Sequence, residues 1–303
     1  MIQEEKKLWR QAIKWPLYSV AVIPIFLCAG FNLFLYGETR IFNFIGFTIA
    51  SILILFWENL TNDLFDSETG VDEFKFHSVV NLINNKKLIS TIAYSSLLIG
   101  LFIILLISLS VNIKIILLVI TCCFLGYLYQ GPPFRLGYLG LGEPLCWIAF
   151  GPLAFAASLL ALNPLSNNLS PIPWRDSILL GTGPALAITL VLFCSHFHQL
   201  KEDKKYGKLS PLVFLGSKRA SKFIPWIIIS IYIFQLYVIC IGFLPPFCLL
   251  YFLSFNNALK LVNLLKNFYN NPSKIKNCKF IAIKFQTING IGLFLGLFIG
   301  WLF

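Results

Sequence analysis

Nine stretches of this chain are long and apolar enough to cross a bilayer as helices, and that removes most folds from consideration. They cover approximately residues 15–36, 41–60, 88–111, 113–129, 144–163, 178–200, 223–243, 244–265 and 285–303. A helix of about 20 residues matches a hydrocarbon core ~30 Å thick. Runs such as Leu97-Leu98-Ile99-Gly100-Leu101-Phe102-Ile103-Ile104-Leu105-Leu106 are apolar on every face, which excludes the alternating strands of a membrane barrel. With 57% hydrophobic and only 12% charged residues, the chain is read as an all-α membrane protein, a bundle of nine transmembrane helices. Pro16, Pro24 and Pro225 sit in or beside spans, where membrane helices tolerate them, and the Pro245-Pro246 turn divides the seventh span from the eighth. No linker rich in Gly, Ser or Pro interrupts the spans, so residues 1–303 are expected to form one domain, and Met1 to Lys14 is not read as a cleavable signal.

Short loops keep Lys and Arg on the cytoplasmic side. With the amino terminus inside, all of the 24 Lys and Arg residues except Arg40, Lys114 and Arg175 fall on that side. The net charge of +11 is accounted for by this asymmetry and gives no reason to invoke nucleic acid. The expected partner is the lipid bilayer.

Two polar clusters interrupt the apolar pattern, and the same topology puts both on the cytoplasmic face. Carboxylates at a membrane edge carry a desolvation cost unless they face a wet cavity, pair with cations or hold a metal. The first runs from Trp57-Glu58-Asn59 through Asn62-Asp63-Leu64-Phe65-Asp66 to Asp72-Glu73-Phe74-Lys75. If the second span continues helically into it, Asn59, Asn62, Asp63 and Asp66 lie three or four apart and share one face. Their hard oxygens suit magnesium, which bridges one or two carboxylates to substrate phosphates. Diphosphate is the substrate group this implies. In the second cluster His196, Gln199 and Asp203 have helical spacing, with Glu202 beside them and Lys208 just after Gly207. Cations beside carboxylates fit a metal–diphosphate site, since both neutralise phosphate charge. His77, His196 and His198 form no soft-metal pattern.

These residues resemble the UbiA superfamily of membrane prenyltransferases. The first motif is similar to its NDxxDxxxGxD pattern through Asn62, Asp63, Asp66, Gly70 and Asp72, and the resemblance continues through Lys75 to Ser78 and Asn81. Further likeness lies in Tyr129-Gln130-Gly131-Pro132-Pro133-Phe134-Arg135-Leu136-Gly137-Tyr138, in Gly140-Leu141-Gly142-Glu143, and in His196-Phe197-His198-Gln199 leading to Glu202-Asp203, Gly207-Lys208 and Ser210-Pro211. These stretches resemble the members that act in phylloquinone synthesis. The resemblance implies transfer of a phytyl group from phytyl diphosphate to 1,4-dihydroxy-2-naphthoate, a magnesium cofactor, and a plasma or thylakoid membrane with the site facing the cytoplasm. It also implies Asp63, Asp66 and Asp203 as catalytic residues and, with Asn62, as metal ligands. Lys75, Arg135 and Lys208 are then diphosphate contacts, with Asn59 and Gln199 on the substrate. Many superfamily members carry DxxxD where this chain has Gln199 to Asp203, so Glu202 is the substitute ligand to consider.

Two other readings stand beside this one. A sister prenyltransferase would use homogentisate, chlorophyllide or another aromatic acceptor with the same diphosphate chemistry. An ion-coupled secondary transporter would place its carboxylates near the bilayer midplane, whereas these acids sit at span ends beside Lys and Arg. The eight cysteines show no paired framework and read as small hydrophobes, and the 30 Phe residues as core or lipid-facing filler.

The charge count generates a sidedness test. A reporter fused after Lys208 should read cytoplasmic and one after Phe303 the opposite side, because nine is odd. Both reporters on one side would mean a miscounted span.

Overall fold

The computed structural model describes Trp9, Ala12 and residues 15–70 and 78–303. Lys75, with the rest of the segment between Gly70 and Ser78, lies outside the described residues. Among the described residues there are helices and turns and no strand. A 3-10 turn at Trp15–Tyr18 leads into α1 (Ser19–Tyr36). Then come α2 (Ile41–Thr69), the short α3 (Val79–Ile83), α4 (Lys86–Ser110) and α5 (Lys114–Gln130). The next span starts as α6 (Gly142–Ile148), passes through a π-helical break at Ala149–Leu153 and ends as α7 (Ala154–Leu162). After α8 (Trp174–Ser195) two short helices, α9 (Leu200–Lys205) and α10 (Pro211–Leu215), precede α11 (Ser217–Cys240). A 3-10 stretch at Pro246–Ser254 runs into α12 (Phe255–Phe268), followed by α13 (Pro272–Ile275) and α14 (Cys278–Leu302).

Eight helical segments meet the length and hydropathy of a membrane span, and α5 is a ninth, shorter apolar helix of 17 residues. At 1.5 Å per residue it reaches about 26 Å. This is a multi-pass integral membrane protein. The Pro245-Pro246 turn does separate two spans, and the second of them begins as a 3-10 helix. Leu98, Phe102, Leu106 and Leu109 of α4 and Trp226 and Ile233 of α11 are exposed, as expected of a face that meets lipid.

Lipid is as apolar as leucine, so helices in a membrane are held by close packing and by internal polar contacts. Both are present here. Gln235 of α11 and Asn289 of α14 are buried and exchange two hydrogen bonds, of 2.7 and 3.0 Å. On α14, Gly292 and Gly296 are one turn apart and face the 3-10 stretch Pro246–Ser254. A Cβ on Gly292 would strike the Leu250 carbonyl, and one on Gly296 the backbone of Cys248. The fifth span is bent where Gly151 leaves helical geometry (φ −102°, ψ −106°) one residue before Pro152, which has no N–H to give. All eight cysteines are free, and Cys28, Cys123, Cys194, Cys248 and Cys278 are buried.

The α14 contact yields a stability test. Gly296→Val puts two methyl groups where backbone already stands, and should cost about 1–3 kcal/mol or more as overpacking does elsewhere. Thermal unfolding in detergent should fall by several degrees. An unchanged midpoint would mean that the two backbones are not in contact.

Candidate active site

One continuous stripe of α2 lines a central cavity of about 260 Å³. Its members, Phe47, Ser51, Ile54, Leu55, Glu58, Asn59, Asn62, Asp63 and Asp66, recur every three or four residues. The helix persists through the first acidic motif to Thr69, as the spacing required. The stripe is apolar at Phe47 and carboxylate-rich at Asp66. One water needs about 10–15 Å³, so the cavity is sized for a ligand. Pro24 and Ile25 of α1, Ile104 of α4, Cys122, Gly126 and Gln130 of α5, Cys146 of α6 and Ile188 of α8 complete its wall.

Gln199, Lys208 and Lys279 join Asn62, Asp63 and Asp66 in lining the cavity, so both polar clusters meet there. The second cluster reaches it through a tight turn. Gly207 takes φ +72°, and the Lys208 N–H donates to the Asp203 carbonyl at 2.8 Å. The next residue, Leu209, donates to the Tyr138 carbonyl (2.8 Å), which seats this loop on the one that follows α5. The Lys208 ammonium is buried, 5.1 Å from the centre of the Tyr138 ring.

Asp66 is held from two sides. Tyr138 Oη donates to one carboxylate oxygen at 3.1 Å, and Gln130 Nε2 to the other at 3.3 Å. Tyr138 Oη is also 2.7 Å from Thr69 Oγ1. Burial and the nearby Asp66 charge push the Tyr138 phenol well above its ordinary value, so it stays a donor. Asp63 accepts the Val79 N–H at 3.0 Å, which ties the chain after the first motif back onto α2. Asn59 is steered by its own helix, its Nδ2 donating to the Leu55 carbonyl at 3.0 Å.

Asp203 is fully buried, and neither of its carboxylate oxygens has a hydrogen bond. It lies 3.4 Å from His196 Nδ1, while His196 Nε2 lies 3.4 Å from Glu143. Burial lowers the imidazole pKa, but the two carboxylates outweigh burial and raise it.

Arg135, Glu202 and Asp203 sit outside the cavity lining. Arg135 pairs with Glu68 at 3.2 Å, away from the cavity lining. Glu202 is half-buried on α9 and is not part of the lining, nor is Asp203. Lys75 falls on the segment the structure does not describe. Conversely, the cavity recruits residues that the sequence reading passed over. Gln130 and Tyr138 lay inside a stretch noted only for its resemblance, Lys279 was counted as one more loop cation, and Glu58 was treated as the edge of a motif. Only the tertiary approach of α5, α14 and the loops gives them their places.

Among the described residues no three His, Cys, Asp or Glu side chains form a ready-made metal cage. The donors at the polar end are hard oxygens from Asn62, Asp63 and Asp66, with the unsatisfied Asp203 carboxylate behind them. Such a set fits a magnesium-type ion that keeps several positions for water and phosphate.

A cavity with a cationic and carboxylate mouth over an apolar interior suits an amphiphilic diphosphate, and the sequence comparison agrees: the UbiA prenyltransferase family model matches residues 21–285. The chain belongs to the UbiA prenyltransferase family. This prenyltransferase is 39% identical over 299 residues to the 2-carboxy-1,4-naphthoquinone phytyltransferase of Synechocystis sp., covering 98% of this chain and 94% of the relative. Its fold is similar to that of an apo UbiA homologue from Aeropyrum pernix K1, with a TM-score of 0.70 and 14% identity over 93% of this chain and 98% of the other. A homologue from Archaeoglobus fulgidus bound to DMAPP and Mg2+ gives 0.58 at 13% identity, covering 94% and 98%.

The clamp on Asp66 makes an ordered prediction. Asp66→Ala should lose most activity in a protein that still folds and inserts. Tyr138→Phe removes one hydrogen bond to a charged group, about 1.5–3 kcal/mol, and should slow turnover roughly ten- to hundredfold. Steady-state rates in proteoliposomes check this, and a Tyr138→Phe rate equal to that of the native protein would refute the clamp.

Proposed function

We propose that this prenyltransferase transfers a phytyl group from phytyl diphosphate to 1,4-dihydroxy-2-naphthoate, with release of diphosphate and carbon dioxide. The whole chain acts as one unit, with its polar mouth toward the cytoplasm of a plasma or thylakoid membrane. The observation that carries this reading is the polarity gradient along α2, from Phe47 and Ile54 to Asn62 and Asp66, within one cavity. An isoprenoid diphosphate has the same gradient. The acceptor is suggested by the naphthoquinone phytyltransferase to which the chain is 39% identical.

Asn62, Asp63 and Asp66 would hold magnesium, with the buried Asp203 charge behind them, and the ion when bound would supply positive charge against the leaving diphosphate. Lys208 and Lys279 line the same mouth and add fixed cationic charge there. Tyr138 and Gln130 keep Asp66 in one orientation, so little reorganisation is needed when charge develops. The apolar walls from α1, α2 and α4 hold the isoprenoid and keep water from an allylic cation.

The electrons balance without a nucleophilic side chain. The allylic C–O bond breaks, its pair leaving with diphosphate. The ring carbon that bears the carboxylate then bonds to the allylic carbon. The bond to the carboxylate breaks, its pair restores the aromatic ring, and carbon dioxide departs. Only the dihydroxy form of the acceptor is electron-rich enough for this attack. The quinone form named for the relative is two electrons poorer and cannot make this attack.

Purified protein with labelled phytyl diphosphate tests the proposal. Turnover should require 1,4-dihydroxy-2-naphthoate, stop when magnesium is chelated and return when it is restored. Faster reaction with homogentisate or chlorophyllide would overturn the acceptor, and full activity in excess chelator would overturn the metal.

A further inference from the structure

One cavity-lining carboxylate is unused by this chemistry. Glu58 projects from α2 one turn before Asn62, about 6 Å deeper at 1.5 Å per residue. It therefore sits below the diphosphate end and above the apolar floor. Its side chain reaches across to α5, where its carboxyl carbon is 3.6 Å from the position a Cβ on Gly126 would take. Cys122 and Cys146 line the same cavity. Among the described residues no hydrogen-bond donor or cation is recorded against the Glu58 side-chain oxygens, and Arg135 and Lys208 are engaged at other points. A carboxyl group left without a partner in an apolar wall costs stability, and the fold gains nothing visible from it.

We infer that Glu58 is the hydrogen-bond acceptor for a ring hydroxyl of the aromatic acceptor, and that it selects the reduced, dihydroxy form over the quinone. This rests on the naphthoate acceptor proposed above. A ring seated at the level of Glu58 lies directly below the allylic carbon, which is joined to the diphosphate at the mouth. Its hydroxyl can donate to Glu58. A quinone oxygen only accepts, so against the carboxylate form of Glu58 it would set lone pair against lone pair. Sites built to bond a substrate hydroxyl reject analogues that lack it far more strongly than apolar pockets reject a change of size. Gly126, Cys122 and Cys146 line the cavity together with Glu58. Glu58 is thus a positioning residue that fixes which ring face and which oxidation state meet the allylic carbon.

Equilibrium dialysis of the full chain in detergent, without phytyl diphosphate, tests this with two probes. One is 1,4-dihydroxy-2-naphthoate kept reduced by dithionite under nitrogen, and the other is 2-carboxy-1,4-naphthoquinone. The native protein should bind the reduced probe at least about tenfold more tightly, the effect of one buried hydrogen bond. Glu58→Gln offers both a donor and an acceptor, so the preference should largely disappear, while the KM for phytyl diphosphate stays within about twofold because the mouth is untouched. Equal binding of the two probes by the native protein, an undiminished preference in Glu58→Gln, or a phytyl diphosphate KM that moves with the acceptor would overturn the inference. Should Glu58→Gln fail to fold, the two monomethyl ethers of the reduced acceptor give the answer on the native chain. One of them should bind about tenfold or more weakly, and both binding as well as the parent would overturn it. Native turnover run alongside separates the two readings. Product formed by a protein with no preference for the reduced form leaves the proposed reaction standing and removes Glu58, whereas no product removes both.

Discussion

Hydrocarbon offers no hydrogen-bond partner, and the architecture follows from that one deficiency. Backbone groups must be satisfied within each segment, so the chain is helical wherever it meets lipid. Polar side chains survive at depth only in pairs, as Gln235 and Asn289 do, or where they face an internal cavity. The buried charges Asp63, Asp66, Asp203 and Lys208 break this economy together, at one end of the bundle. Each alone would cost several kcal/mol even after relaxation. Gathered there, they offset one another in part and leave a field waiting for a polyanionic ligand with its counter-ion. The Glu143–His196–Asp203 chain shows how far that goes, since acids on both sides raise the pKa of a buried imidazole against the effect of burial.

Much of this was legible because helix periodicity is a strong constraint. Spacings of three and four through Asn59, Asn62, Asp63 and Asp66 hold only if α2 outlasts its hydrophobic run, and it does. The shared location of the two polar clusters followed from counting spans and cations, and the cavity lining contains residues of both. What stayed hidden depended on approaches between distant segments. Arg135 had the right charge and the right neighbourhood, yet Glu68 takes it at 3.2 Å. Tyr138 becomes a donor to Asp66 only because the loop after α5 folds over the end of α2. Glu58 escaped notice because one carboxylate at the edge of a polar run looks like part of that run, although a single helical turn puts it in a different environment. The bend at Gly151 was equally invisible, since a Gly-Pro pair inside a span does not announce its direction.

The second cluster also shows why residue identity is a weaker guide than geometry. Gln199 lacks the charge that many superfamily members have at this point, yet it faces the cavity, while the charged Asp203 and Glu202 do not line it. Asp203 instead anchors the turn at Gly207 through its carbonyl and the histidine through its side chain.

The unbroken length of α2 has a mechanical consequence. A 29-residue helix without an internal proline is a stiff rod, so Phe47 at the floor and Asp66 at the mouth keep a fixed separation. The opposing wall is built differently, from a span interrupted at Ala149–Leu153 and from loops joined by a few backbone hydrogen bonds. The two sides of the chamber therefore differ in stiffness: α2 is the rigid one, and the broken span and the loops are the more deformable.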